Sequence, residues 1–164
     1  MLEFIAARGS ASFLQTPAWA RVKSEWRGER VGFYDGDELT GVGLILYRKL
    51  PKLPRYLAYL PEGPVLDWSR DDIAEHFDAL VTHVKKRQAF AVRIGPAVVH
   101  RIWGTKTIKT AIADDNITSL TEVEPDIVTP EGEHVVSVLK QGGWITDETG
   151  HGLSLIHISE PTRL

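Results

Sequence analysis

The sequence predicts a mixed α/β domain in which helices cover a largely antiparallel sheet. Three observations lead there. Two strand-like runs flank an Asp35-Gly36 turn, a long helical stripe from Ile73 to Val84 separates a third strand from a fourth, and 164 residues suffice for one domain with a real core. Charged residues make up 25% and hydrophobic residues 43% of the chain, an ordinary balance for a folded globular protein. A net charge of −3 does not announce a nucleic-acid coat protein, although a local basic patch stays open. The chain has no cysteine, which excludes disulfides, thiolate zinc sites and cysteine nucleophiles together. Residues 1–8 lack a basic segment followed by a long apolar one, so no signal peptide is expected. No apolar run approaches the roughly 20 residues of a membrane-spanning helix. The expected location is the cytoplasm, with any contact at the inner face of the cell membrane peripheral.

The elements follow in order. Thr16-Pro17 opens a helix, because threonine can cap it and proline suits its first position. Trp19, Val22 and Trp26 then fall on one helical face, and Arg27-Gly28 ends it. Strands are expected at Arg30–Tyr34 and Leu39–Arg48, joined at Asp35-Gly36. A third strand, Arg55–Leu60, follows the breakers Pro51 and Pro54, and Pro61-Glu62-Gly63-Pro64 makes a rigid loop. Ser69-Arg-Asp-Asp72 reads as a capping box with aspartate for glutamate. It starts a helix whose apolar stripe is Ile73, Phe77, Leu80, Val81 and Val84, and Lys85-Lys86-Arg87 suits the negative end of its dipole. Ala89–Ile94 reads as a buried strand interrupted by Arg93, and Gly95-Pro96 stops it. A short helix is expected over 105–113 with Ile108, Ala111 and Ile112 on one side. Residues 114–126 read as loop. Thr129-Pro130 opens a last helix with Val135, Val138 and Leu139 inward, Gly142-Gly143 ends it, and Trp144-Ile145 begins another strand.

Chemical motifs are sparse. His76 and His83 lie seven apart on one helix with no ligand at the fourth position, so both read as surface residues and no metal is expected. There is no Gly-x-Ser-x-Gly elbow, which leaves a hydrolase unsupported. There is no Walker loop or Gly-x-Gly-x-x-Gly, so no nucleotide cofactor is expected. Asp71-Asp72 and Asp114-Asp115 fit a helix start and a solvated loop. Lys85-Lys86-Arg87 could meet phosphate, or simply complete a helix end. Lys23 stands four residues after Trp19, on the same helical side. It can grip an anion while the indole packs on an apolar group, or it can lie along the ring with its charge in water. Arg93, inside an apolar strand, must be paired or face a cleft, and both alternatives stand.

Whole segments say more than single residues. Phe13-Leu-Gln-Thr-Pro-Ala-Trp-Ala-Arg-Val-Lys23, then Trp26, then Tyr59-Leu-Pro-Glu-Gly-Pro-Val-Leu-Asp67 resembles the opening of the FemABX family. Ala89-Phe-Ala-Val-Arg-Ile-Gly-Pro96 and Leu139-Lys-Gln-Gly-Gly-Trp144 fit as well, so the resemblance spans nearly all of residues 11–145. It implies two acetyltransferase-like (GNAT-type) domains, of which residues 1–152 are the first, incomplete. It implies an aminoacyltransferase. Such a protein takes an amino acid from aminoacyl-tRNA and attaches it to the side-chain amine of the peptidoglycan precursor stem peptide. The precursor is either lipid II or UDP-MurNAc-pentapeptide. In that chemistry an amine attacks an ester, so positioning and oxyanion stabilisation supply the rate.

The family's Trp-x-x-x-Lys segment, implicated in holding the precursor's phosphates, falls on Trp19 and Lys23. Tyr59 and Arg93 complete the expected substrate-binding set. Phe90 stands where the family often has tyrosine. Catalytic groups are expected in the second domain and none here, so the chain alone is expected to be inactive. Two alternatives are an acetyl-CoA-dependent small-molecule N-acetyltransferase, whose Gln/Arg-x-x-Gly-x-Gly/Ala loop is missing, and a non-catalytic precursor-binding module.

Residues 153–164, Leu-Ser-Leu-Ile-His-Ile-Ser-Glu-Pro-Thr-Arg-Leu, read as a frame translation of a transposon-end adaptor used in sequencing libraries. They are expected to be a non-native tail, so His157 carries no functional weight.

Overall fold

Strands β1 (Arg27–Asp35) and β2 (Glu38–Lys49) form the antiparallel hairpin that Asp35-Gly36 predicts. Gly36 turns it at φ +58°, a left-handed conformation that costs glycine nothing because it lacks a Cβ. This computed structural model describes residues 1–8, 11–146 and 155–158, with Thr146 and 155–158 by backbone alone. The chain divides into two units, Met1–Ala97 with Val138–Leu164, and Val98–Ser137.

The first unit opens with helix α1 (Leu2–Ala6), a 3-10 turn over Phe13–Gln15 and helix α2 (Pro17–Val22). After the hairpin come β3 (Tyr56–Leu60), β4 (Val65–Leu66), α3 (Ile73–Lys86) and β5 (Ala89–Ile94). The sheet order is β1-β2-β3-β5, continued by β9 (Leu155–Ile158) and β8 (Ile145–Thr146), with β4 paired to β2 beside β3. Every pairing is antiparallel except β3 with β5, which α3 connects as a crossover. The predicted mixed, largely antiparallel sheet flanked by helices is therefore the observed one. Ile73, Phe77, Leu80, Val81 and Val84 are all buried, as the stripe requires. Phe77 packs between Trp68 and Trp144, with ring centroids at 6.3 and 5.5 Å. Such burial is worth about 1.5–3 kcal/mol for each large side chain.

The second unit holds β6 (Arg101–Ile102) paired with β7 (Ile127–Val128), and helix α4 (Thr105–Ile112). Helix α5 (Pro130–Gln141) begins there and ends in the first unit. The Thr129 hydroxyl accepts the Gly132 N–H at 3.2 Å, an N-cap of the expected kind. Val135 and Leu139 are buried, Val138 is half-buried, and Gly143 follows at φ +76°.

Several expectations change. Helix α2 ends at Val22, which is 64% exposed, and Lys23 is its C-cap. No helical face therefore carries Trp19, Val22 and Trp26 together, because Arg27 already belongs to β1 and the backbone hydrogen bonds of the long hairpin take precedence. The capping box does not form. Arg70 clasps the Asp72 carboxylate through Nε and Nη2 at 2.7 and 2.6 Å, and the Ser69 hydroxyl donates to Asp67 at 2.6 Å. A charge-assisted fork outcompetes a neutral cap for the same carboxylate. His76 is buried, not on the surface, because α3 lays it against the hairpin. Ile112 is 78% exposed, and Ala111 takes the inward position on α4. The loop 114–126 contains a 3-10 turn at Leu120–Glu122. Residues 153–164, expected as a non-native tail, lie outside the described residues except for 155–158. The backbone of those four forms β9 between β5 and β8.

Candidate functional site

Residues directly opposed in a sheet share a face. The register therefore sets Gly28, Leu46, Tyr59 and Arg93 in one row across β1, β2, β3 and β5. Helix α2 rests on the start of that row: a Cβ at Gly28 would stand only 3.0 Å from the Cβ of Ala20. Trp19 and Lys23 flank Ala20 in the sequence, so glycine at position 28 is what lets their helix approach.

Two groups of side chains stand on this face, and a backbone hydrogen bond ties them together. The Lys23 ammonium lies 5.4 Å from the Trp19 ring centroid, and Phe13 meets that ring edge-on at 5.6 Å. The Lys23 carbonyl accepts the Trp26 N–H at 2.9 Å. The Trp26 ring lies 6.3 Å from Tyr59, and the Arg93 guanidinium lies 5.9 Å from the Tyr59 ring. Arg48 reaches the other side of the network, 5.7 Å from Trp26. Trp19, Lys23, Trp26, Tyr59 and Arg93 are all half-buried. The structure thus brings the four predicted residues to one sheet face, with Trp19 and Lys23 tied to Tyr59 and Arg93 through the Trp26 backbone N–H and the Trp26 ring. Cations that lean on aromatic rings and are partly withdrawn from water suit an anion with an apolar body beside it.

Gln15 is what the sequence reading missed. It is 0% exposed, and both ends of its amide are used. Its Nε2 donates to the Pro61 carbonyl at 2.5 Å, and its Oε1 accepts the Leu44 N–H at 2.9 Å. Strand β2 pairs with β4 at Gly41–Val42 and with β3 from Leu46 onward, and Leu44 falls in the gap between. The amide fills that gap and ties the Phe13–Val22 segment to the sheet. Gly63 has to be glycine here, since any side chain would collide with the Gln15 amide. Glutamine at that place carries no periodic signal; only the break in β2's pairing reveals its role. Arg48 was missed as well, although alternation along Leu44, Leu46 and Arg48 sets it on the same face.

The opposite face carries a separate polar network under α3. Glu29 accepts from Tyr47 at 2.8 Å and from Arg87 at 2.8 and 3.2 Å. His83 Nε2 lies 3.2 Å from the Glu29 carboxylate, an ion pair when the ring is protonated. Burial raises the Glu29 carboxyl, but Arg87, Tyr47 and His83 together outweigh it and hold it below the ordinary value. Burial first, and then Glu29, push the Tyr47 phenol well up. Buried His76 bridges the Thr40 hydroxyl at 2.8 Å and the Asp72 carbonyl at 2.9 Å. A cleft of about 340 Å³ runs beside it, lined by Phe33, Asp35, Asp72, Glu75 and His83 among others. Among the described residues no group of three His, Cys, Asp or Glu side chains is placed to hold a metal. Nor does any described helix have the length and apolarity to cross a membrane.

Comparison with known proteins points one way. Residues 2–123 match the model of the FemAB family. A lipid II:glycine glycyltransferase of Staphylococcus saprophyticus is 34% identical over 98 residues, which cover 58% of this chain and 24% of that protein. The protein of the same name from Staphylococcus haemolyticus is 35% identical over 98 residues, 58% of this chain and 23% of that one. The chain spans about a quarter of the length of the curated relatives it matches. The crystal structure of FemX superposes with a TM-score of 0.58 at 24% identity, over 88% of this chain and 29% of that one, and so shares the fold. With the family model covering most of its length, the chain belongs to the FemAB family.

Proposed function

We propose that this domain holds the peptidoglycan precursor for an aminoacyltransferase. In the whole protein an amino acid passes from aminoacyl-tRNA to the side-chain amine of the precursor's stem peptide. The observation that carries this proposal is the row Gly28-Leu46-Tyr59-Arg93, with α2 seated on it, because it gathers Trp19, Lys23, Tyr59 and Arg93 on one face. Family membership and relatives named as lipid II:glycine glycyltransferases support the acceptor. Lys23 meets the precursor's phosphates, the aromatic rings pack on its apolar parts, and Arg93 and Arg48 neutralise further negative charge. The groups that activate the amine and hold the oxyanion belong to the second domain, so this chain alone binds without turnover.

The test is titration calorimetry of the nucleotide-linked pentapeptide precursor onto this chain. Lys23→Ala is expected to weaken binding about tenfold or more, since a hydrogen bond to a charged group is worth about 1.5–3 kcal/mol. Unchanged affinity in that variant would remove Lys23 from the site. Binding of coenzyme A with no binding of precursor would replace this function by small-molecule acetyl transfer.

A further inference from the structure

We infer that the end of the sheet where β2 turns into β3 and α3 turns into β5 is a docking surface for an anionic lipid bilayer. Two basic runs distant in sequence meet there. One is the loop that carries Lys49, Lys52 and Arg55, closed by the Leu50 N–H on the Arg55 carbonyl at 2.9 Å. The other is the C-terminal end of α3, with Lys85 and Lys86. The Tyr56 N–H donates to the Gln88 carbonyl at 3.1 Å, and Tyr56 opposes Ala89 in the parallel ladder, which sets the two runs side by side. All five cations are exposed, and neither run, 48–55 nor 85–88, contains an acidic residue. The chain as a whole is net negative, so this concentration of positive charge is local. Arg87, beside them, is already committed to Glu29.

What selects a bilayer over a nucleic acid is Leu53. It stands at the loop tip between Lys52 and Arg55, 55% exposed, with Pro51 and Pro54 exposed beside it. A leucine held out into water by two prolines gains nothing against a phosphodiester backbone. Against a membrane it can enter the headgroup boundary while the lysines meet anionic lipid. The five cations of the docking surface are distinct from Lys23, Arg48 and Arg93 of the precursor-binding face, although Arg48 adjoins Lys49 in the chain. It does rest on the proposed function for its purpose, which is to bring that face to a membrane-borne substrate.

The experiment is co-sedimentation of the full chain with phosphatidylglycerol–phosphatidylcholine vesicles and with phosphatidylcholine vesicles, at low and high salt. Binding is expected only to the anionic vesicles and should fall with salt. Each lysine near an anionic surface contributes about a fivefold effect. Lys49→Glu/Lys52→Glu should therefore lower partitioning at least about tenfold, and Leu53→Asp should lower it severalfold. Because all three residues are exposed, thermal unfolding and precursor affinity should be unchanged in both variants. Equal partitioning by wild type and the double lysine variant overturns the inference. So does binding to duplex RNA that Lys49→Glu/Lys52→Glu abolishes and Leu53→Asp leaves intact while vesicles are not bound. Precursor binding that persists while vesicle binding fails leaves the proposed function standing and removes only this surface.

Discussion

Gln15 shows how one side chain can replace a stretch of secondary structure. Between its pairings with β4 and β3, strand β2 has a backbone N–H, at Leu44, that the Gln15 amide satisfies. Removing the amide strands two buried groups, the Leu44 N–H and the Pro61 carbonyl. A buried polar group left unpaired costs about 1–3 kcal/mol. Gln15→Ala should thus lower unfolding free energy by about 2–5 kcal/mol in urea titration, and deuterium exchange at the Leu44 amide should accelerate. Gln15→Glu keeps the acceptor for Leu44 but turns a carboxylate oxygen toward Pro61, so Leu44 protection should survive better than in the alanine variant. The same residue scale gives a pH dependence. Glu29 has a folded pKa below its ordinary 4.5. Its contribution is fully present above that value and is lost as pH falls through the lower folded one. Asp72, held by Arg70 despite opposing burial, behaves alike below its ordinary 3.8. Thermal stability should therefore decline from about pH 4.5 downward. In Glu29→Gln the part of that decline due to Glu29 should disappear.

At the scale of elements, α3 is the most strongly determined piece. Its stripe is regular, and the structure buries every member of it. Phe77→Ala would open a cavity between Trp68 and Trp144 and should cost about 3–5 kcal/mol, read from the shift in the denaturation midpoint. Val22→Asp, at the exposed end of α2, should be within about 0.5 kcal/mol of wild type. That outcome would separate the observed helix from one continuing to Trp26 with Val22 inward. Hairpins and stripes were legible because their cause is local: a turn residue, or a period that one face must repeat. The end of α2 was not legible. Helix propensity and the β1 hairpin compete for residues 23–27, and the ladder from Arg27 to Tyr47 decides it. His76 was misread for a similar reason. Its place on α3 is polar by composition, but the Thr40 hydroxyl across the interface satisfies the ring and allows burial.

For the whole molecule, the sequence by itself determined the fold class, the identity of most strands and helices, and the family, since periodicity, turn chemistry and contiguous segments are properties of the chain. It also singled out Trp19 and Lys23 as neighbours on one helical side, and Tyr59 and Arg93 as members of the same expected set with no stated place beside them. Only the tertiary structure decided that they share a face, because that depends on register across four strands separated by up to 65 residues between Gly28 and Arg93. The same holds for Gln15 and for the two basic runs at the sheet end. Their meaning lies in what stands opposite, and a partner across a sheet leaves no periodic trace in the residues beside it.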